Sequence, residues 1–256
     1  MTERIMGLAS NTFREGVRDR LFLAIGVFGA IVLASSFIIG PLSLGEQVRI
    51  TQDIGLAAIS ILSFMIAILV GTGIVYKEIE KRTIYTVVSK PVERWQFIMG
   101  KFLGLSATVG LLMAGMTVVL LVINWIVSRT FEPRLLTAIL LTWMELILLT
   151  SLSIMMSTIC SPILGAIFSF LLYIIGHTSA DLKELAVRFG SGSLKVMANV
   201  FYYSLPNLEY LNVRGKVTHG VHIEGSYIAF ACAYALVYSL AFLLISILCF
   251  ERKEFK

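Results

Sequence analysis

The sequence predicts an all-α integral membrane protein with six membrane-spanning helices. Its 256 residues are 57% hydrophobic and only 14% charged, and its mean hydropathy is +0.88, whereas soluble domains carry roughly one-quarter charged residues. At about 20 residues per crossing, six apolar runs are long enough to span a roughly 30 Å hydrocarbon layer as helices. These runs are Leu21 to Gly40, Ile54 to Tyr76, Phe102 to Ser128, Leu135 to Cys160, Ser161 to Gly176 and Ser226 to Phe250. Together they predict one transmembrane domain covering residues 1–256.

The boundary between the fourth and fifth spans follows from helix length. The apolar run from Leu135 to Gly176 would form a helix roughly twice as long as the hydrocarbon layer is thick, at about 1.5 Å per residue. It therefore has to fold back on itself. Proline disfavours helical geometry in the residue before it, so we expect a tight turn at Ser161-Pro162.

The distribution of Lys and Arg predicts the orientation. An even number of spans puts both termini on one side, and basic loops stay on the cytoplasmic side. Segments 1–20, 77–101 and 251–256 hold more than half of the 21 Lys and Arg residues. We therefore expect cytoplasmic termini in a multi-pass cell membrane protein, with a bacterial inner membrane as its location. The net charge of +5 then reflects orientation and attraction to anionic lipid, and implies no nucleic-acid partner.

Two extramembrane segments have helical patterns of their own. In residues 1–20, apolar residues recur at helical spacing opposite the charges, which predicts an interfacial helix on the inner membrane surface; they are Ile5, Leu8, Ala9, Phe13 and Val17. In the outer loop 180–225, apolar residues at helical spacing flank Gly190-Ser191-Gly192. This predicts two short outer helices, which either shape an exit mouth or simply cover the bundle.

Glu145 is the one carboxylate within the six predicted spans. A charge at mid-span costs at least a few kcal/mol, so we expect it to face protein or water. Polar neighbours that could bond to it are Asn124, Thr142 and Ser151. Glu145 and Asn124 are thus candidates for either translocation or helix packing.

The sequence identifies no metal, cofactor or catalytic site. Cys160, Cys232 and Cys249 are widely separated and form no C-x-x-C motif, so we interpret them as packing residues. His219 and His222 form an H-x-x-H pair in the outer loop, but a metal site would need further ligands to converge on it. No nucleophile and base converge within the spans, so an enzyme is not predicted.

The segment 77–101 is charged and lies between the second and third spans. No Pro or Gly interrupts residues 76–88, which predicts an amphipathic helix continuing out of the second span. Ser89-Lys90-Pro91 then predicts a stop and a new helix, because serine caps helices and proline is tolerated in their first turn. Glu93 falls in that positive first turn. Such an elbow either docks a soluble partner or merely anchors the loop.

Three stretches of this region resemble the type 2 permeases of ABC transporters. That family has a glutamate-rich turn, a threonine, a short apolar run, then Pro-Val-x-Arg and Gly-Lys. The matching stretches are Glu78-Ile79-Glu80-Lys81-Arg82-Thr83, Ser89-Lys90-Pro91-Val92-Glu93-Arg94 and Gly100-Lys101. Arg82 departs from the pattern, because the family often has glycine there. The six spans, N-terminal helix, outer helices and basic tail resemble the family over essentially the whole length.

The resemblance implies a transport subunit without enzymatic activity of its own, in which 77–101 is the coupling segment for a separate ATPase. The residues that the resemblance assigns to this contact are Glu78, Ile79, Glu80, Arg82, Thr83, Tyr85, Pro91 and Arg94. The chain lacks the phosphate-binding motif of an ATPase, because Gly100-Lys101 is followed by Phe102. ATP and Mg²⁺ would therefore be bound by two partner ATPase copies, and a second permease chain, identical or related, would complete the assembly.

The substrate and two alternatives stay open at this point. The apolar spans favour export of an amphipathic or hydrophobic molecule. The coupling segment and size also resemble the permease of maturation systems for copper enzymes. A secondary transporter without an ATPase would show paired intramembrane charges and interrupted helices, for which Gly71-Thr72-Gly73 is the one indication in the spans.

Overall fold

The computed structural model describes residues 2–39, 46–76, 78, 93–130, 132–189 and 205–252. This part of the chain is helical and contains no strand. Its helices are α1 (Thr2–Arg18), α2 (Arg20–Ile39), α3 (Gln47–Ile74), α4 (Arg94–Ser128), α5 (Arg134–Ile159), α6 (Pro162–Phe189), α7 (Arg214–Thr218) and α8 (Gly225–Glu251), with a 3-10 turn at Leu208–Tyr210.

Five described helices are long and apolar enough to cross a membrane: α3, α4, α5, α6 and α8. Helix α2 also has an apolar stretch, Arg20–Ser35, but this stretch is shorter than those of the five helices. The chain is therefore an all-α, multi-pass membrane protein, as predicted. The sixth span, α2, stays a prediction.

The fold-back in the long apolar run lies at the proline. Helix α5 ends at Ile159, and Cys160 has an extended backbone conformation while its N–H still donates to the Met156 carbonyl. Helix α6 begins at Pro162. Proline costs no hydrogen bond at this position, because an N–H group in the first turn of a helix has no partner within the helix. Two antiparallel helices therefore arise from one apolar run.

Helix α4 is longer than its predicted span. It begins at Arg94 instead of Phe102 and has 35 residues, or about 52 Å at 1.5 Å per residue. Glu93 is its N-cap, and Glu93 and Gln96 form a reciprocal capping box, which satisfies N–H groups of the first turn. The sequence predicted a new helix after Ser89-Lys90-Pro91 with Glu93 in its first turn, whereas the structure has Glu93 as the N-cap and one helix continuous with the span.

Helix α6 is also longer than predicted. The expected fifth span ended at Gly176 and a separate outer helix covered residues 182–189, whereas the structure has one helix through Phe189. No glycine or proline lies between His177 and Phe189 to interrupt it. The second predicted outer helix falls within residues 190–204, outside the described residues.

Helices α3 and α5 form the centre of the bundle. Helix α5 packs most extensively on α8 and α3, and α3 and α5 are the most buried of the five spans. Helix α3 runs without a break through Gly71-Thr72-Gly73. A side chain at Gly71 would come within 2.8 Å of the Ser153 Cβ atom. This glycine therefore serves close helix packing, and it does not interrupt the span.

The bundle has two ends, named here after the arginines that mark them. At the Arg94 end, α4 begins and α8 finishes, since Arg94 contacts the carbonyls of Phe250 and Glu251. At the Arg134 end, α5 begins, and Arg134 donates to the Gly220 carbonyl at 2.9 Å. The orientation predicted from charge places the Arg94 end in the cytoplasm and the Arg134 end outside.

Helix α1 packs closely on the beginning of α4. A Cβ atom at Gly100 would lie 2.6 Å from the Leu8 Cβ, and one at Gly104 would lie 2.5 Å from the Ala9 carbonyl oxygen. Small residues four apart are typical of close helix pairs in membranes. The contact lies where the charged first turns of α4 give way to its apolar stretch. The interfacial position of α1 stays a prediction.

Residues 205–224 fold back into the Arg134 end of the bundle and are called the re-entrant segment below. They contain the 3-10 turn and α7, which contact α3, α5 and α6. Its apolar side chains are almost fully buried: Leu208, Leu211, Val213 and Val217. The Tyr234 hydroxyl of α8 accepts a 2.7 Å bond from the Asn207 N–H. The segment thus belongs to the core.

Candidate functional site

The structure describes two of the eight predicted coupling residues, Glu78 and Arg94. The others lie outside the described residues: Ile79, Glu80, Arg82, Thr83, Tyr85 and Pro91. The described residues on either side, 78 and 93–101, form a frame around this part of the chain. Both legs of that frame are fixed by polar contacts.

The first contact is an ion pair between Glu78, just beyond α3, and Lys101 in α4. The Lys101 side chain is 2% exposed and that of Glu78 is 23% exposed. The Lys101 ammonium also lies 5.6 Å from the centre of the Phe97 ring, close enough for a cation–π interaction. A lysine this deeply buried needs a compensating charge, and Glu78 supplies it from within the same chain.

The second contact joins the end of α3 to α5. The Ser157 hydroxyl oxygen accepts bonds from the Val75 and Tyr76 N–H groups, both at 3.1 Å. A helix end in a membrane protein has no water to satisfy its backbone groups when it is buried. Ser157 therefore holds the last turn of α3 against α5 just before the coupling segment begins.

The third contact fixes the other leg. Arg94 donates to the carbonyls of Phe250, at 3.1 Å, and Glu251, at 2.6 Å. These carbonyls belong to the last turn of α8, where they have no partner within the helix. A cation at a helix C-terminus is stabilising because it bonds to such carbonyls and interacts favourably with the helix dipole. The sequence assigned Arg94 to an ATPase contact, whereas the structure gives it contacts within its own chain.

We call the residues Glu78, Lys101, Ser157 and Arg94 the coupling frame. By these polar contacts the residues on either side of 79–92 are tied to four helices, α3, α4, α5 and α8.

Glu145 has different partners from those expected. The sequence suggested Asn124, Thr142 or Ser151, whereas the Glu145 carboxylate meets His177 Nε2 at 2.9 Å and an Arg214 guanidinium nitrogen at 3.4 Å. Ser151 donates to a carbonyl of its own helix. Arg214 could not be anticipated, because it lies in a loop that the charge pattern placed outside the spans. His177 was predicted only as the outer end of a span.

The residues Glu145, His177, Arg214 and Ser60 are called the buried cluster. Glu145 is 1% exposed, and His177 and Arg214 are 17% and 16% exposed. Arg214 also donates to the Ser60 hydroxyl at 2.7 Å. The cluster joins α3, α5, α6 and the re-entrant segment, so the buried carboxylate is compensated by groups from separate elements.

Asn124, the other intramembrane candidate, pairs with a different residue. Its side-chain oxygen accepts a 2.9 Å bond from Gln52, which also donates to Glu132 at 3.2 Å. Gln52 and Asn124 are both buried. The amide pair joins α3 to α4 near the Arg134 end.

A metal site does not emerge from the described residues. They contain no group of three or more His, Cys, Asp or Glu side chains that could hold an ion. His219 Nδ1 lies 2.8 Å from the Gly215 carbonyl of its own helix. The three cysteines are free and partly buried.

Residues 6–255 match a family described as ABC-2 family transporter protein. The chain belongs to the ABC-2 transporter family. No curated protein matches the chain. The family match begins within α1 and runs past the end of α8, so it covers the other described helices completely.

Membership of the ABC-2 family makes the chain a membrane subunit of an ABC transporter and implies association with an ABC ATPase. The buried cluster does have paired intramembrane charges, which are typical of a secondary transporter. The family assigns the chain to ATP-driven transport instead. The charges of this ABC-2 subunit therefore need another explanation.

Proposed function

We propose that the chain is the permease subunit of an ATP-driven exporter for an amphipathic or hydrophobic substrate. It works as a dimer with a second permease chain, and two copies of a separate ATPase subunit bind ATP and Mg²⁺. The segment 77–101 docks into the ATPase. Family membership supports the ATP-driven transport, and the coupling frame supports the position of the docking segment.

The coupling frame carries the proposal because it fixes both legs of the segment by polar contacts. A loop that only anchored orientation through its Lys and Arg residues would need no such contacts, since orientation depends on the count of basic residues. Here Glu78 pairs with Lys101 and Arg94 binds the last carbonyls of α8. A segment held this way can transmit force from a docked ATPase to the spans.

An apolar cargo is supported by the hydroxyl groups of α5. Several of them are turned to carbonyls of their own helix, where they present no free donor to a ligand: Thr150, Ser151, Ser153 and Thr158. The outer faces of the spans are also apolar. A charged or sugar-like substrate would need polar groups aimed into its pathway.

The test uses residues of the elbow that are not part of the frame. We expect Glu80→Gln with Thr83→Ala to greatly reduce co-purification of the partner ATPase, and to lower ATP hydrolysis by the complex. Truncating one partner of a buried charged contact costs about 2–5 kcal/mol. Expression and gel-filtration behaviour of the permease should stay unchanged.

The matched control is Glu46→Gln with Thr130→Ala, the same chemistry on exposed residues at the opposite end. This control should bind and hydrolyse like wild type. Wild-type association and hydrolysis in the Glu80/Thr83 variant would mean that the charged segment is only an anchor.

A further inference from the structure

A cavity of about 600 Å³ lies at the Arg134 end of the bundle. Its described lining comes from the start of α3, the start of α5 with the turn before it, and the end of α7. Sites for small ligands have volumes of about 300–1,000 Å³, but their lining is mostly apolar. Most of the residues that line this cavity are polar, and they include Arg49, Gln52, Glu132 and Arg134.

The most buried polar residue of this lining is Gln52, which is 2% exposed. Both N–H groups of its amide are used, because Nε2 donates to Asn124 at 2.9 Å and to Glu132 at 3.2 Å. No described residue donates to its oxygen, Oε1. A buried acceptor without a bond costs free energy, so a donor supplied by a ligand would be stabilising here. The neighbouring Glu132 adds a negative charge to this part of the cavity.

Arg134 supplies a positive charge at the exposed rim of the cavity. Its Nη1 atom donates to the Gly220 carbonyl at 2.9 Å, and Gly220 has a φ of 72°, which glycine adopts without strain. This bond positions the guanidinium group, whose other N–H groups have no bond to a described residue. A guanidinium group has five N–H donors in a planar fork, which suits bidentate binding of a phosphate.

The charges of the cavity favour a ligand that carries both signs. Arg49 is paired with Glu46 at 2.8 Å, so the charges that stay available to a ligand are those of Glu132 and Arg134. A purely anionic ligand would be repelled by Glu132, and a purely cationic one by Arg134. A zwitterion can place each of its charges against the opposite one.

The positive group of that zwitterion should be a primary ammonium. Such a group has three N–H donors, which is enough to bond to both Gln52 Oε1 and Glu132. A trimethylammonium group has no N–H donor, and proteins bind it with aromatic rings. No Trp, Tyr or Phe occurs among the described residues that line the cavity.

The cavity lies at the ends of three spans. Helices α3 and α5 begin beside it, and Gln52 connects it to Asn124 near the end of α4. Trp125 is 57% exposed at that end of α4, and tryptophan is enriched where spans meet the membrane surface. Exposed apolar side chains on the same parts of α4 and α5 offer a surface to lipid chains: Val122, Ile126, Leu136 and Leu140. A zwitterion at this level that also has apolar chains is a phospholipid.

We propose that the cavity binds the headgroup of a phospholipid that carries a primary ammonium and a phosphate. The ammonium donates to Gln52 Oε1 and Glu132, and the phosphate accepts from Arg134. The bound lipid is either a resident of the outer leaflet or the amphipathic cargo, and only the second case rests on the proposed export.

The experiment is isothermal titration calorimetry on the full chain in detergent, without an ATPase. The probes are three phospholipids with identical chains: dihexanoyl phosphatidylethanolamine, dihexanoyl phosphatidylcholine and dihexanoyl phosphatidylglycerol. The choline lipid keeps both charges but has no N–H donor on its nitrogen. The glycerol lipid keeps the phosphate and has no positive charge.

We expect the ethanolamine lipid to bind about tenfold or more tightly than the other two, the size expected for a bond to a charged group. Glu132→Gln should abolish this preference, because it removes the carboxylate that faces the ammonium. Arg134→Gln should weaken the binding of all three lipids, because each has a phosphate. The matched controls are Glu224→Gln and Arg129→Gln, which are exposed at the same end and lie outside the described lining. Both controls should bind the lipids like the parent protein.

Three results would overturn the proposal. The first is equal binding of the three lipids to the parent protein, and the second is an unchanged preference in Glu132→Gln. The third is equally tight binding of glycerophosphoethanolamine, which has the headgroup without chains and would indicate a site for a soluble zwitterion. If Arg134→Gln does not fold, the first two results still decide.

A resident lipid and a cargo lipid are distinguished in vesicles that contain the permease with its ATPase. ATP-dependent movement of a chain-labelled phosphatidylethanolamine between the leaflets, lost in Glu132→Gln and kept in Glu224→Gln, identifies a cargo. Binding without such movement identifies a resident lipid. Because the calorimetry contains no ATPase, its failure leaves the proposed transport function untouched.

Discussion

Replacing Glu78 by Gln should destabilise the protein more than replacing Lys101 by Met, although both changes break the same ion pair. The reason is the group that each change leaves behind. Glu78→Gln leaves an ammonium group on a side chain that is 2% exposed, whereas Lys101→Met leaves a carboxylate on a side chain that is 23% exposed. Water can reach the second far better than the first.

The magnitudes follow from that difference. Removing one partner of a buried charge pair costs about 2–5 kcal/mol, mostly through the unpaired charge that stays buried, so we expect this range for Glu78→Gln. For Lys101→Met we expect about 1 kcal/mol, near the upper value for an exposed pair. The double variant, which removes both charges, should be more stable than Glu78→Gln alone.

The measurement is a double-mutant cycle on the free energy of unfolding in detergent, with the helix content checked by circular dichroism. The coupling frame is supported if the coupling energy is positive and if the free energy of unfolding is lower for Glu78→Gln than for Lys101→Met. The reasoning is refuted if the two single variants are equally stable, or if their effects simply add in the double variant.

Two further outcomes are expected. Gly104→Ala should destabilise the protein, because the new Cβ would lie 2.5 Å from the Ala9 carbonyl oxygen. Gly115→Ala is the control: its new Cβ would meet nothing within 4 Å, so it should be neutral or slightly stabilising in the same unfolding assay. Equal effects of the two changes would exclude a close α1–α4 contact. A cysteine at Gly215 should react with an impermeant reagent from outside and one at Lys90 only from the cytoplasm, and reaction of both from one side would end the six-span topology.

Sequence patterns predicted the elements whose physics is local. Apolar run length and Pro162 are enough to predict the fold-back between α5 and α6, because both act on neighbouring residues. The span within α4 was predicted to begin only at Phe102, because Arg94 and Lys101 lie in the first two turns of the helix, and the start of the helix was predicted near Pro91 instead of at Arg94. Helix formation there depends on the Glu93 cap and on packing against α1, whereas the span prediction followed hydropathy alone.

The site was predictable only where the partners were close in the chain or the family motif named them. The pairing of Glu145 with Arg214 joins residues 69 positions apart, and Arg214 lies in a segment whose charge suggested a solvent loop. The buried Leu208, Val213 and Val217 on that segment were the available signal for re-entry. Asn124, which the sequence suggested as a partner of Glu145, bonds to Gln52 instead.

Helix α5 connects the two functional regions of the molecule. Ser157 holds the end of α3 beside the coupling frame, and Glu145, 12 residues earlier and about 18 Å away along the helix, holds the re-entrant segment. If α5 moves as a rigid body, a docked ATPase should change the reactivity of a cysteine at position 217. The test compares the rate at position 217 with and without the docked ATPase, and an exposed cysteine at position 215 serves as the control. An unchanged ratio of the two rates would show that α5 does not transmit movement between the two ends.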